Sequence, residues 1–497
     1  MADGQLDLEA LTIAAVLERY SQRSLTAAEV TQAYLDAIAS IDKELNAVCH
    51  LSASAIPEAK ELDRYQEENN GALKGPLHGV PLLIKDQIET NGLNTSFGSI
   101  LAKDYVPDRD ASLVQKLREA GAIILGKAMM PDWAAALFST SSLSGTTKNP
   151  YDLTRESGGS SSGSAAGVAG NLALASIGGD TGGSIRLPSS FCSLIGVRCT
   201  PGRISRDGMS ALVVPQDTAG PMAKTVEDAA RLLDVLVGYD DRDNYTSVNV
   251  YAPSTSFLAA VQQKDVTGKH FGVLRQVFGN HGGVNSVMEN ALQRLQTAGA
   301  VLVNVEIPNR EYYREMCNVY PSRTRSDINK FLASRQPNKN LPKSFSDFYS
   351  KGIYHDALDG IRSVAVGPDD PSLDTSYGAR LEVQMEYKRL VTSIFAMEKL
   401  DAILYPTCQI PAPKTAEVLA HKWPDHRLPS NTNIASQLHF PAISVPAGFC
   451  DEEGRKLPVG MEILGLPLKE DLLIATAAAA EKLLAARRPP VSKIVTV

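Results

Sequence analysis

From Glu156 to Ser190 the chain reads ESGGSSSGSAAGVAGNLALASIGGDTGGSIRLPSS, two clusters of glycine and serine around an apolar, alanine-rich segment. Serine becomes a nucleophile when a neighbouring base takes its proton. Glycines let a chain turn several N–H groups toward one point, where they can stabilise a developing anion. A flexible linker has a similar composition. A linker, however, would not enclose AAGVAGNLALASI, which reads as a tightly packed small-residue helix running into a strand.

Two other patterns compete for attention. GSSSG, from Gly159 to Gly163, matches the form of a nucleophile elbow centred on Ser161. An elbow needs a buried strand immediately before it, and TKNPYDLTRES is polar and turn-rich. GAIILGKA approaches the phosphate-binding loop, but Ala128 follows Lys127 where a magnesium-binding hydroxyl is required. Its intervening residues also read as a strand instead of a loop.

The elements that must position these residues alternate between strand and helix. LTAAEVTQAYLDAIASI opens with a capping box, Thr26 and Glu29, and repeats Val30, Tyr34, Ile38 and Ile41 at helical spacing. GVPLLIKD predicts a buried strand ending at Lys85. SLVQKLREAG predicts a helix closed by Gly121, and AIILG the next buried strand. LALASIGG, LDAILYPT, FPAISVPAG and LPVGMEILG are further strands, with TVEDAARLLDVLVG a helix between them. The expectation is one α/β domain over 1–497 with a mixed, mostly parallel central sheet flanked by helices. Within it lie a helical segment to about 75, a core over about 76–235, a helix- and loop-rich insertion over about 240–350, and further sheet over about 400–497.

GVPLLIKD, GKAMMPDW, GGSSSGSAAGVAG, GGDTGGSIRLPSSFCSLIGVR, AGPMAKTVEDAARLLD and LPVGMEILG occur in this order, and in this the chain resembles the amidase signature family. The resemblance implies a Ser–Ser–Lys triad: Lys85 as base, Ser160 as bridging serine, Ser184 of TGGS as nucleophile. It also implies a cis peptide bond between Gly159 and Ser160. Thr181, Gly182, Gly183 and Ser184 would supply the oxyanion-binding N–H groups. Met130 would line the acyl site, with Trp133 and Phe138 nearby in sequence. The extra serine, Ser162, stands where relatives have glycine and leaves the register intact.

The residue types suit that chemistry. A buried lysine loses its proton more readily, since desolvation disfavours the ammonium. A hydroxyl donates and accepts at once, so Ser160 can relay a proton. Asp180 and Arg186 flank the nucleophile, where they either support catalysis by orienting the loop or form a structural pair. Cys192 reads as a buried thiol.

Composition limits the partners. Lys plus Arg number 49 against 56 Asp plus Glu, a net charge of −7 without a dense basic run, which gives nucleic-acid binding no support. The six cysteines show neither a CxxC pair nor zinc spacing, and the histidines are scattered, so neither metal nor cofactor is expected. No secretory signal is visible, and LLIATAAAAEKLLAARR is broken by Glu481 and Lys482, reading as an amphipathic surface helix and not a membrane span. The expectation is a cytoplasmic amidohydrolase that cleaves small-molecule amides, with esters or carbamates as further substrates and a homodimer compatible with the sequence. Two rivals stand beside it: the A subunit of a glutamine-dependent aminoacyl-tRNA amidotransferase, and an inert binding member of the family. TRSDINKFLAS is closer to the stand-alone amidases than to the amidotransferase chain.

Overall fold

Apolar runs of four to eight residues, buried on both faces, form the centre of the molecule. The computed structural model describes residues 6–253, 255–263, 265–423 and 428–490. Its central sheet has strands β1 (Val48–Leu51), β2 (Pro81–Lys85), β3 (Ile123–Ala128), β4 (Ala175–Asp180), β5 (Ile195–Arg198), β6 (Thr218–Ala223), β7 (His270–Val273), β8 (Val301–Asn304), β9 (Ala402–Pro406), β10 (Ala442–Glu452) and β11 (Arg455–Leu464). Their order is β1-β3-β2-β4-β6-β5-β10-β11-β9-β7-β8. Every residue of β2, β3 and β4 is buried, and each fully buried Leu or Ile there contributes about 1.5–3 kcal/mol. Helices cover the sheet. Ala27–Leu45 carries the expected capping box and buries Val30, Tyr34, Ile38 and Ile41.

The sheet is mixed, as expected, but it is not mostly parallel. Six neighbouring pairs are antiparallel and four are parallel. Parallel pairing needs a long crossover, usually a helix. The stretch between β5 and β6 has none, and β10 turns directly into β11 through Glu453 and Gly454, both at positive φ.

The segment 240–350 also departs from the expectation of helices and loops, for it adds β7 and β8 at one end of the sheet. Four residues long, with β8 largely uncovered at the edge, they lack the buried run that marks central strands. The last helix, Glu470–Leu484, is less superficial than its amphipathic pattern implied, since Ala477 to Ala480 are buried. Among the described residues no helix is long and apolar enough to cross a membrane.

Candidate active site

Lys85 ends β2 and is fully buried. Its Nζ lies 2.8 Å from Ser160 Oγ and 3.3 Å from the Gly179 carbonyl. Burial pushes the amine down to about 7, against the opposing fields of Asp180 and Asp217. Ser160 follows a cis peptide bond from Gly159, as the resemblance implied. Gly159 donates its N–H to the Leu137 carbonyl at 2.8 Å. A side chain there would come within 2.2 Å of the Phe138 carbonyl oxygen, so the close approach itself requires glycine.

The neighbouring serines have other tasks. Ser161 Oγ donates to the Gly179 carbonyl at 3.1 Å and accepts the Gly179 N–H at 3.2 Å, while its own N–H donates to the Ser184 carbonyl at 3.2 Å. A buried, doubly bonded hydroxyl is no elbow nucleophile. The strand that does precede it, Asp152–Glu156, pairs with Lys148–Asn149 outside the central sheet. Ser162 Oγ donates to the Met129 carbonyl at 3.1 Å, fastening the helix Ser162–Ala169.

Ser184 sits in the loop between β4 and the helix Arg186–Phe191 and is 4% exposed. One carboxylate organises the loop. Asp180 accepts the N–H groups of Gly183 and Ile185 at 3.0 and 3.2 Å, Arg186 Nε and Nη2 at 3.1 Å each, and Arg198 Nη1 at 2.8 Å. Burial alone would raise this carboxyl, but Arg186 and Arg198 outweigh it and hold it well below the usual range. Asp180 and Arg186 are therefore paired and hold the loop at once. Arg186 reaches on to Glu462 and to Ser436 Oγ. The Gly183 N–H, expected to face an oxyanion, is instead given to Asp180 at 3.0 Å, and Gly183 itself takes a positive φ of 128°.

Three residues at this loop carried no sequence signal strong enough to single them out. Asp217 accepts Thr181 Oγ1 and the N–H groups of Leu212 and Val213. It immediately precedes the stretch that holds AGPMAKTVEDAARLLD, the one hint available. Thr432 Oγ1 donates to the Gly182 carbonyl at 2.7 Å, and the Tyr320 hydroxyl stands over Gly182. Both come from distant parts of the chain.

Met130 is fully buried in an aromatic cluster with Phe97, Trp133 and Phe331, where Phe97 and Trp133 stack at 5.0 Å. Phe138 joins a different cluster with Leu187 and Phe191, just after the Ser184 loop. Cys192 is buried and its thiol is pushed up by that burial. Lys127 lies within β3, which removes the phosphate-loop reading.

Among the described residues the structure gathers one set of metal-ligand types that spacing did not reveal. A register shift in β1 brings Cys49 and His50 near Asp86, with ligand atoms within 4.8 Å of one another. Asp86 already accepts the N–H groups of Ser96 and Gly98, and the charge of Lys127 opposes the effect of burial on its carboxyl. That cation answers the carboxylate from within the chain.

The chain is similar to known proteins over nearly its whole length. The family model described as Amidase matches residues 29–474. The A subunit of glutamyl-tRNA(Gln) amidotransferase from Desulfatibacillum aliphaticivorans is 33% identical over 480 residues, covering 94% of this chain and 96% of that one. Peptide amidase of Stenotrophomonas maltophilia superposes with a TM-score of 0.85 at 32% identity, covering 97% and 99% of the two chains. The corresponding amidotransferase chain of Thermotoga maritima gives 0.76 at 28% identity over 98% and 99%. A family match over nearly the whole length, on this mixed sheet and this glycine–serine loop, makes the chain a member of the amidase signature family and an amidase that hydrolyses amide C–N bonds.

Proposed function

We propose that the chain is a stand-alone amidohydrolase acting through an acyl-enzyme on Ser184. The observation that carries this reading is the 2.8 Å contact between a buried lysine amine, held down to about 7, and Ser160 Oγ. Ser184 Oγ attacks the amide carbonyl while its proton passes to Ser160 and that of Ser160 to neutral Lys85. The N–H groups of Thr181, Gly182 and Ser184 face the oxyanion. Collapse of the adduct breaks the C–N bond, and the protonated relay delivers a proton to the departing amine. Water then attacks the ester of Ser184 by the same relay, releasing the acid. Asp180 and Arg186 hold the loop, and Met130 belongs to the wall beneath the acyl group. Esters are side substrates, because an alkoxide needs less help from an acid to depart.

The stand-alone reading is supported by the closer superposition on a peptide amidase, 0.85 against 0.76 for the amidotransferase chain. A second reading, the A subunit of a transamidating complex, has the names of the curated relatives in its favour. Purified chain assayed alone against peptide, aryl and fatty amides, carbamates and glutamine separates them. Turnover of a non-glutamine amide by the chain alone is the expected result. Ammonia release from glutamine only after partner chains are added would sink the first reading in favour of the second.

A further inference from the structure

The helix Tyr320–Ala333 begins beside the Ser184 loop and is tied to it through hydrogen bonds. Its Asp327 accepts the Val214 N–H at 2.9 Å and Arg323 Nε and Nη2 at 2.9 Å each. The adjoining Leu212 and Val213 N–H groups bond to Asp217, which also accepts Thr181 Oγ1. Tyr320 and the segment Thr181–Ser184 are thus two ends of one bridge. Such a bridge holds the ring in place without using its hydroxyl.

That hydroxyl finds no hydrogen-bond partner among the described residues, although the ring is half-buried. A Cβ built on Gly182 would lie 2.5 Å from the Tyr320 oxygen, and its three nearest atoms all belong to Tyr320. Gly182 lacks the positive φ of Gly183, so the space required by Tyr320 is what calls for glycine there. Burial, then the fields of Asp217 and Asp180, push the phenol well above its usual range, which keeps it a donor. An extended chain advances about 3.3–3.6 Å per residue. An acyl chain that ran from Ser184 past Gly182 would pass the phenol, and its second carbonyl is the acceptor that such a chain offers a donor there.

Resting on the amide-hydrolysis reading above, we propose that Tyr320 is a specificity-determining residue whose hydroxyl donates to a second carbonyl of the acyl chain. The preferred substrates are then amides of N-acylated amino acids and short peptides, over amides of simple carboxylic acids of equal length. The test measures kcat/KM for an N-acetylaminoacyl amide and for an alkanoyl amide of the same length, in wild type and Tyr320→Phe. Loss of one hydrogen bond should lower the ratio of the two values about three- to tenfold, mainly through KM. An unchanged ratio overturns the proposal. Gly182→Ala should lose turnover through its clash with the phenol oxygen, and adding Tyr320→Phe should recover part of it; failure to recover any would deny the contact. Wild type that hydrolyses neither amide and takes no fluorophosphonate label would overturn the amidohydrolase reading itself, which the Tyr320→Phe ratio alone cannot do.

Discussion

Two buried lysines end neighbouring strands, and only one of them is placed to act as a base. Lys85 closes β2, and Lys127 lies at the end of β3 opposite Ile84, one register step away. Alternation along the strands therefore sends them to opposite faces. Burial lowers both, Lys85 to about 7 and Lys127 to about 8. Their partners differ. Lys127 donates to the Ile88 carbonyl and to Thr95 Oγ1, and the field of the Asp86 carboxylate favours its charged form. Those acceptors reward a lysine for keeping its proton. Lys85 meets a serine hydroxyl that can hand it one. Desolvation sets how readily a lysine deprotonates, and its neighbour sets whether that matters chemically.

The largest effects should fall on the Lys85 side. Ser184→Ala should lower amide turnover by about 10⁴-fold or more and abolish fluorophosphonate labelling. Lys85→Ala should cost about 10²–10⁴-fold in kcat/KM with the fold retained. Lys85→Arg should fare no better, since a guanidinium holds its proton in a protein. Near wild-type amide turnover in Lys85→Ala would leave Ser184 in need of another base.

Lys127→Met should behave in the opposite way. Removing this cation takes away the charge that lowers the buried Asp86 carboxyl and leaves the Ile88 carbonyl and Thr95 Oγ1 without their donor, and chemical denaturation should report a loss of about 1–3 kcal/mol. The folded fraction should keep kcat within about threefold of wild type, the cost of modest repositioning. If kcat collapsed while stability held, Lys127 would have a chemical role and the contrast between the two lysines would fail.

The pH profile sharpens the contrast. Below about 7 Lys85 carries a proton and cannot accept another, so kcat/KM should rise with pH through one ionisation near 7 and then level. Lys127→Met should leave that midpoint in place. A flat profile from mildly acid to mildly alkaline pH would remove Lys85 from the mechanism. The smallest shift belongs to Asp217→Asn. The Asp217 carboxylate raises Lys85, so neutralising it should move the midpoint to lower pH. An upward movement would show that the substitution acts by disturbing Thr181 instead.

The contrast between the lysines also marks how far the sequence could be read. Lys85 and Lys127 each follow an apolar strand, GVPLLIK and AIILGK, and nothing local distinguishes a base from a structural cation. Ordered motifs did so, because they carry Ser160 and Ser184 along with Lys85. The same motifs did not disclose that the Gly183 amide is given to Asp180, since that depends on the conformation of the loop and not on its composition. Tyr320 and Thr432 were not legible as members of the site, and Asp217 only through its place before AGPMAKTVEDAARLLD. Each meets the loop through one contact from far along the chain, and a single contact leaves no period in a sequence.

By itself the sequence determined the elements whose signals are local: the capped helix after Thr26, the buried strands GVPLLIKD and LALASIGG, and the glycines that permit close approach in GGSSSG. Burial of consecutive apolar residues and helical spacing are properties of neighbours in the chain, so they can be read there. Strand direction was decided by tertiary structure, where the missing crossover between β5 and β6 made the sheet more antiparallel than its helix alternation implied. So was the recruitment of β7 and β8 to the sheet, and the meeting of Tyr320 with Gly182. Each depends on which distant segments share a face, a matter of packing energy across the whole domain that no short stretch of sequence encodes.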